Sequence, residues 1–239
     1  MQRYFIEKNH IEADKVCIYG KDHHHMKNVM RFKPGDQVVV NTYDGFVYLA
    51  QILDFAKDYT ELSLIKSMEA KNINYQLDLG LSLTKKDAFE LALKKITELG
   101  VSGIIPLETE RSIINIKDYE KKKERYLTIL KESAEQSERN QIPLIYDITQ
   151  IGDLNTKIYD YLFVAYARED HMTLKSQLTE IKSSDKVLVV IGPEGGFSKT
   201  EIKNLKEKGF VSVSLGDTIL RAETAAMYIA SVFRFMVGE

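Results

Sequence analysis

An α/β domain on a parallel sheet, preceded by a small β-barrel, is the fold this sequence predicts. Three observations carry that prediction. Up to about residue 70, short β-branched and aromatic runs are separated by turn residues. Beyond it, apolar runs of strand length alternate with helical patterns. Between the two rhythms lies the polar stretch Glu69-Ala70-Lys71-Asn72, so the domains are expected at 1–72 and 73–239.

In the first domain RYFI, KVCIY, QVVVNTY, FVYLAQIL and ELSLI read as strands. Pro34-Gly35-Asp36 and Asp44-Gly45 read as turns, the second as a hairpin signal. DHHHMKNVM reads as a short helix, and a small barrel is the economical closure. Within the second domain LDLGLSLT reads as a strand. Asp87 to Leu99 reads as an amphipathic helix with apolar Phe89, Leu91, Leu93 and Ile96, stopped by Gly100. GIIPL, YLFVAY and KVLVVIG are strands of the fully buried kind. Tyr119 to Arg139 is expected as one long polar helix and Arg221 to Val237 as an apolar one.

Bulk composition narrows the function. The chain has 239 residues, 44% hydrophobic and 28% charged, as soluble globular proteins do. No run approaches the length of a membrane span, and MQRYFIEKNH lacks a secretory apolar core. A single cysteine excludes an internal disulfide and any cysteine-cluster metal site, and fits a reducing cytoplasm. Cys17, inside VCIY, reads as a buried structural thiol. The net charge of −2 weighs against RNA or DNA as partner, without excluding a local basic patch. His23-His24-His25 is a poor metal site, because consecutive helical residues diverge by about 100°. His25 reads as a packing or RNA-facing residue, the other two as surface. Lys121-Lys122-Lys123 reads as the wet face of the long helix.

The chemistry concentrates in VVIGPEGGF, residues 189–197, where an apolar strand enters a glycine-rich turn. Ser198-Lys199-Thr200-Glu201 is a capping box, with Phe197 and Ile202 as its hydrophobic staple and Gly209 as the helix stop. The turn is neither GxGxxG nor a Walker loop. Pro193 removes a donor and Glu194 repels phosphate, so a cationic or donor-rich ligand fits better. Downstream, LGDTILRAETAA repeats the arrangement of strand end, glycine and helix, and two such exits on adjacent elements can line one crevice. Glu223 suits the start of the last helix; Arg221 does not, and must be placed for another purpose.

IGPEGGFSKTEI followed by SLGDTILRAETAA resembles the RsmE-type 16S ribosomal RNA uridine-N3 methyltransferases of the SPOUT class. RYFI, HHMKNVMRFKPGD, KKITELGVSGIIPLETERS and KESAEQSERNQIP are similar to further blocks of that family, with Met30 where a leucine is usual. The resemblance implies S-adenosylmethionine in a trefoil knot of a domain with helices on both sheet faces, a PUA-like barrel ahead of it, and a cytoplasmic homodimer. It implies 16S RNA of the assembled small subunit, in the decoding region, as substrate, and no metal or membrane. Cofactor-lining positions carried over are Tyr166, Ile191, Gly192, Pro193, Gly196, Leu215, Gly216, Leu220, Thr224 and Ala225. Arg221 is assigned an electrostatic role in catalysis, and Glu194 a role as base or loop organiser. Arg3, Lys27 and Arg31 are assigned to RNA, as are Arg111 and Arg139 near the cofactor cleft. Ala225, Ile229, Val232 and Met236 suit a core helix and a dimer interface equally. A ribose 2′-O-methyltransferase of the same class and a non-enzymatic RNA-binding or assembly factor are the competing readings.

Overall fold

Runs with side-chain period two make the first sheet, because alternate residues face one core. A computed structural model describes residues 1–70, 73–112, 116–169 and 172–238. The boundary expected at residue 72 lies outside them. The chain separates into Met1–Asn72 with Ala134–Ile142, and Ile73–Ser133 with Pro143–Glu239.

The first unit holds β1 (Arg3–Ile6), β2 (Ile11–Glu12), β3 (Lys15–Tyr19), the short helix α1 (Gly20–His24), β4 (Gln37–Thr42), β5 (Val47–Phe55) and β6 (Tyr59–Met68). Its strands run in the order β1-β4-β5-β6-β3-β2, and only β1 and β4 pair in parallel. Register shifts between β5 and β6 curl the sheet into a half-barrel around Tyr4, Ile6, Val16, Val38, Ile52 and Leu62. Asp44-Gly45 turns the β4–β5 hairpin with Gly45 at φ +95°.

Two expectations fail here for reasons of facing. Val16 and Ile18 take the inward positions of β3, so Cys17 points the other way and is only half-buried. α1 packs on β3 and β6, which turns His23 inward, where its Nδ1 meets Thr60 Oγ1 at 2.8 Å. His23 is therefore core and not surface. A π-helical turn over His25–Val29 continues α1 and buries Met26; His25 packs on Tyr4, Nδ1 to hydroxyl at 3.0 Å.

The second unit contains β7 (Gln76–Ser82), α2 (Lys86–Glu98), β8 (Gly103–Glu108), α3 (Ile116–Glu120), α4 (Lys123–Gln136), β9 (Leu144–Ile145), β10 (Thr149–Gln150), β11 (Tyr161–Ala165), α5 (Leu174–Leu178), β12 (Lys186–Ile191), α6 (Lys199–Glu207), β13 (Val211–Val213) and α7 (Ala222–Val237). The last residues of α4 belong to the first unit. All its pairings are parallel, in the order β10-β8-β7-β12-β11-β13, with β9 also on β8. Leu188 and Val190 share a cluster with Ile202 and Leu205 of α6. Val187 and Val189 point to the opposite face by the pleat, and α7 packs on β7, β12 and α2. Gly80 gives the α6 face its close packing: a Cβ there would stand 2.7 Å from Val190 Cγ1.

The single helix expected from Tyr119 to Arg139 is two. A tight bond from Lys122 N–H to the Tyr119 carbonyl, 2.8 Å, closes a turn between α3 and α4. Tyr119 and Tyr126 then both pack on Phe89 of α2. Lys123 opens α4 and pairs with Asp147 at 2.9 Å, so it does not lie mid-face. Leu91 points outward, leaving Phe89, Leu93 and Ile96 as the apolar side of α2. Among the described residues no helix is long and apolar enough to cross a membrane.

Candidate active site

β12 is buried from Val187 on, and ends in the turn Gly192–Gly196 at the C-terminal edge of the sheet. The Gly196 N–H closes the turn on the Pro193 carbonyl at 2.8 Å, with Gly196 at φ +65°, a conformation that suits glycine. Gly192 lies so close to Phe197 that a Cβ would stand 3.2 Å from its ring. The turn is clamped from three sides. Ser82 Oγ donates to the Ile191 carbonyl at 2.8 Å from the end of β7. Arg111 Nη1 donates to the Gly195 carbonyl at 2.6 Å from the segment after β8. The Lys85 N–H donates to Glu194 Oε1 at 3.4 Å, at the start of α2.

Ser198 and Glu201 form both halves of the capping box. Glu201 does more than cap: its other oxygen accepts the Glu110 N–H at 2.9 Å, tying α6 to the β8 exit. Phe197 and Ile202 are both buried in the cluster under the sheet edge, as the staple requires.

The second glycine exit is not on a strand adjacent to the first. β11 lies between β12 and β13, and its own exit supplies a third wall. The Tyr166 N–H donates to the Val213 carbonyl at 3.0 Å, joining the β11 and β13 exits. Gly216, at φ +121°, turns the chain after β13 while its N–H meets Ser214 Oγ at 3.3 Å.

These three exits enclose a cavity of about 740 Å³, a volume suited to one small-molecule ligand. Ile191, Gly192, Pro193 and Gly196 line it from the first turn, and Tyr166 from the β11 exit. Leu215, Gly216, Leu220 and Ala225 line it from the segment before α7 and its first turn. Thr224 does not; one residue before Ala225, it is turned about 100° away and exposed. Glu194 and Arg221 both reach the cavity. Arg221 is the N-cap residue of α7, yet its side chain makes no capping bond and meets no partner among the described residues.

Of the cations assigned to RNA, Arg111 lines the cavity. Arg139 does not: it belongs to the first unit, where its carbonyl accepts from Asn41 Nδ2 at 3.0 Å. Arg3 is bound within that unit, with Nη1 2.6 Å from Asn140 Oδ1 and Glu138 at 3.8 Å. Burial lowers the pKa of Arg3, against the attraction of Glu138. Lys27 and Arg31 are exposed, Lys27 touching the Ala56 carbonyl at 3.2 Å and Arg31 at φ +54° just beyond the π-helical turn. The sequence reading missed Lys85, Arg168, Lys199 and Asp217, which also line the cavity. Only strand order, which local patterning does not record, would have found them. Among the described residues no group of three His, Cys, Asp or Glu side chains is arranged to hold a metal ion.

A parallel sheet with a glycine-walled crevice at its C-terminal edge, joined to a curled β unit, defines an α/β protein that takes a small ligand at its strand exits. A family model described as an RNA methyltransferase domain matches residues 71–234, and one described as an RNA methyltransferase PUA domain matches residues 18–64. The chain belongs to the ribosomal RNA small subunit methyltransferase E family of RNA methyltransferases. It is 36% identical to the Bacillus subtilis (strain 168) protein named ribosomal RNA small subunit methyltransferase E, over 98% of this chain and 96% of that one. The Neisseria gonorrhoeae enzyme of the same name, solved bound to S-adenosyl methionine, is 26% identical with a TM-score of 0.88, covering 100% of this chain and 98% of that one. A Legionella pneumophila protein, solved in complex with the bound cofactor SAM, is 26% identical with a TM-score of 0.89, covering 99% of this chain and 98% of that one.

Proposed function

We propose that this chain transfers a methyl group from S-adenosylmethionine to N3 of a uridine in the 16S RNA of the small ribosomal subunit. The observation that carries this reading is the cavity walled by the Gly192–Gly196 turn and the Leu215–Ala225 segment. The residues fit the cofactor. Gly196 and Gly216 hold left-handed turns, and Gly192 lies against Phe197, so backbone donors and acceptors can approach a ligand closely. Ile191, Leu215, Leu220 and Ala225 offer apolar surface, while Glu194, Asp217 and Glu223 suit a ligand with a sulfonium and an ammonium.

When bound, S-adenosylmethionine supplies an electrophilic methyl group. The uracil N3 is an imide and must lose its proton to attack, so the site must position the base and stabilise the anion that develops. Arg221 lines the cavity and meets no partner among the described residues, which supports an electrostatic role toward a uracil oxygen. Glu194 organises the loop, because its carboxylate accepts the Lys85 N–H.

The finer features rest on the same reading. The trefoil knot is supported by the two loops that return over one crevice on either side of β11. The homodimer is supported by an outward stripe of α7, Tyr228, Val232 and Phe235, the last 86% exposed. Ala225 and Ile229, by contrast, face the chain's own core. Equilibrium sedimentation of Phe235→Glu against the parent chain tests that stripe. A substrate of assembled subunits in the cytoplasm accords with the net charge of −2, since a shaped ribosomal surface can replace bulk attraction.

The decisive experiment is transfer of labelled methyl to small subunits that lack their own modification, followed by nucleoside mass spectrometry. Label in 3-methyluridine is the expected result. Label on a ribose would replace the reaction, and absence of both label and cofactor binding would leave an RNA-binding factor.

A further inference from the structure

Cations recur at one position along the site edge of the second unit's sheet. Three residues past the last residue of β7, Ser82, stands Lys85; three past the end of β8, Glu108, stands Arg111; three past the end of β11, Ala165, stands Arg168. Lys199 follows the turn after β12. The strands β8, β7, β12 and β11 are consecutive neighbours, so the four cations span about 14 Å of edge at the usual strand spacing of ~4.8 Å. All four are exposed and line the same cavity.

Three of them have no internal task. Lys85, Arg168 and Lys199 make no side-chain hydrogen bond or ion pair among the described residues; Arg111 alone is engaged, by the Gly195 carbonyl. Lys199 also opens α6, where the helix dipole disfavours a cation, so its place is not explained by helix stability. The carboxylates of the cavity, Glu194, Asp217 and Glu223, come from the turn after β12 and the segments around the start of α7. Among the described residues the crevice thus carries five cations against three carboxylates, in a chain of net charge −2.

We infer that Lys85, Arg168 and Lys199, with Arg111, form a track for the phosphates that flank the target nucleotide, along the exposed rim of the cofactor cavity. A row of cations along one edge matches a polyanionic single strand, whereas one cofactor carboxylate requires only one of them. The track orients the strand so that the base enters next to Arg221. This inference rests on the reading of the cavity as a methyl-transfer site.

The test compares the full-length parent with the triple variant Lys85→Ala, Arg168→Ala, Lys199→Ala. Affinity for undermodified small subunits and for a short oligouridylate is measured across a potassium chloride series. S-Adenosylmethionine affinity is measured separately by calorimetry. Each phosphate contact contributes about 0.7 to 1 to the slope of log affinity against log salt. The triple variant should therefore lose about 2 to 3 from that slope and bind RNA at least about tenfold more weakly at low salt, a larger loss than in cofactor affinity. Lys199→Arg, which keeps the charge, should retain the parent slope. An unchanged slope in the triple variant overturns the inference, as does a cofactor affinity that falls in place of RNA affinity. A parent chain that methylates while the triple variant keeps its slope defeats the track alone; a parent that binds no cofactor and transfers no label defeats the methyl-transfer reading itself.

Discussion

Replacing Glu201 with alanine should loosen the crevice without touching any ligand. The carboxylate is 6% exposed and accepts two backbone N–H groups, Ser198 at 2.7 Å and Glu110 at 2.9 Å. Ser198 is itself buried, so its N–H loses both its partner and access to water in the variant. A charge-assisted bond of this kind is worth roughly 1.5–3 kcal/mol, and the partly exposed Glu110 N–H adds up to about 1 kcal/mol. The loss is therefore about 3 kcal/mol, or about 6–12 °C in melting midpoint for a chain of this size. Glu201→Gln keeps one acceptor oxygen and should lose about half as much. Differential scanning calorimetry of the three chains measures the ladder, with cofactor calorimetry on the same samples. Since Gly196 and Phe197 are held through Ser198, cofactor affinity should fall along with stability. A Glu201→Ala chain that melts within about 2 °C of the parent would refute the reasoning, because the two bonds would then carry no net weight.

Gly196→Ala meets no atom within 4 Å, so its effect should be pure backbone strain of about 1–2 kcal/mol at φ +65°, read as a fall of about 2–8 °C in melting midpoint by calorimetry. An unchanged midpoint in that variant would show that the turn leaves φ +65° without cost. Arg221→Ala should lower kcat by about a hundredfold or more while cofactor affinity stays within about threefold; equal losses in both would make Arg221 a cofactor ligand. Asp78 is buried under the sheet between the Tyr146 and Tyr159 hydroxyls, at 3.3 and 2.7 Å, and desolvation raises its pKa against those bonds and Lys186. A carboxyl with a raised folded-state pKa favours folding below its unfolded pKa and loses that contribution as pH rises through the folded value. Asp78→Asn, which still accepts from both tyrosines, should therefore gain on the parent as pH climbs above the ordinary carboxylate range. Urea denaturation at pH 4 and pH 8 checks this, and a stability difference that does not grow with pH would contradict it.

Some of the site was legible because its chemistry is local. Ser198 and Glu201 lie three residues apart, and a capping box needs nothing beyond that spacing. The same holds for Gly196 and Gly216, whose left-handed turns follow from strand, glycine and helix in succession. Other readings failed where facing or pairing was decided at a distance. KVCIY specifies period two but not which parity meets the core, and Val16 and Ile18 took the inner positions from Cys17. Nothing near Arg139 records that its segment joins the first unit and bonds Asn41, 98 residues earlier.

The sequence by itself determined the longer strands, the two glycine exits, the α6 cap and the family. Tertiary structure alone decided that β11 stands between those exits, that Arg111 clamps Gly195 across 84 residues, and that Lys85 reaches Glu194 across 109. The division is physical. Turns and caps are set by dihedral and hydrogen-bond preferences within a few residues. Strand order, in contrast, is set by burial of whole faces and leaves no trace in any one window of the chain.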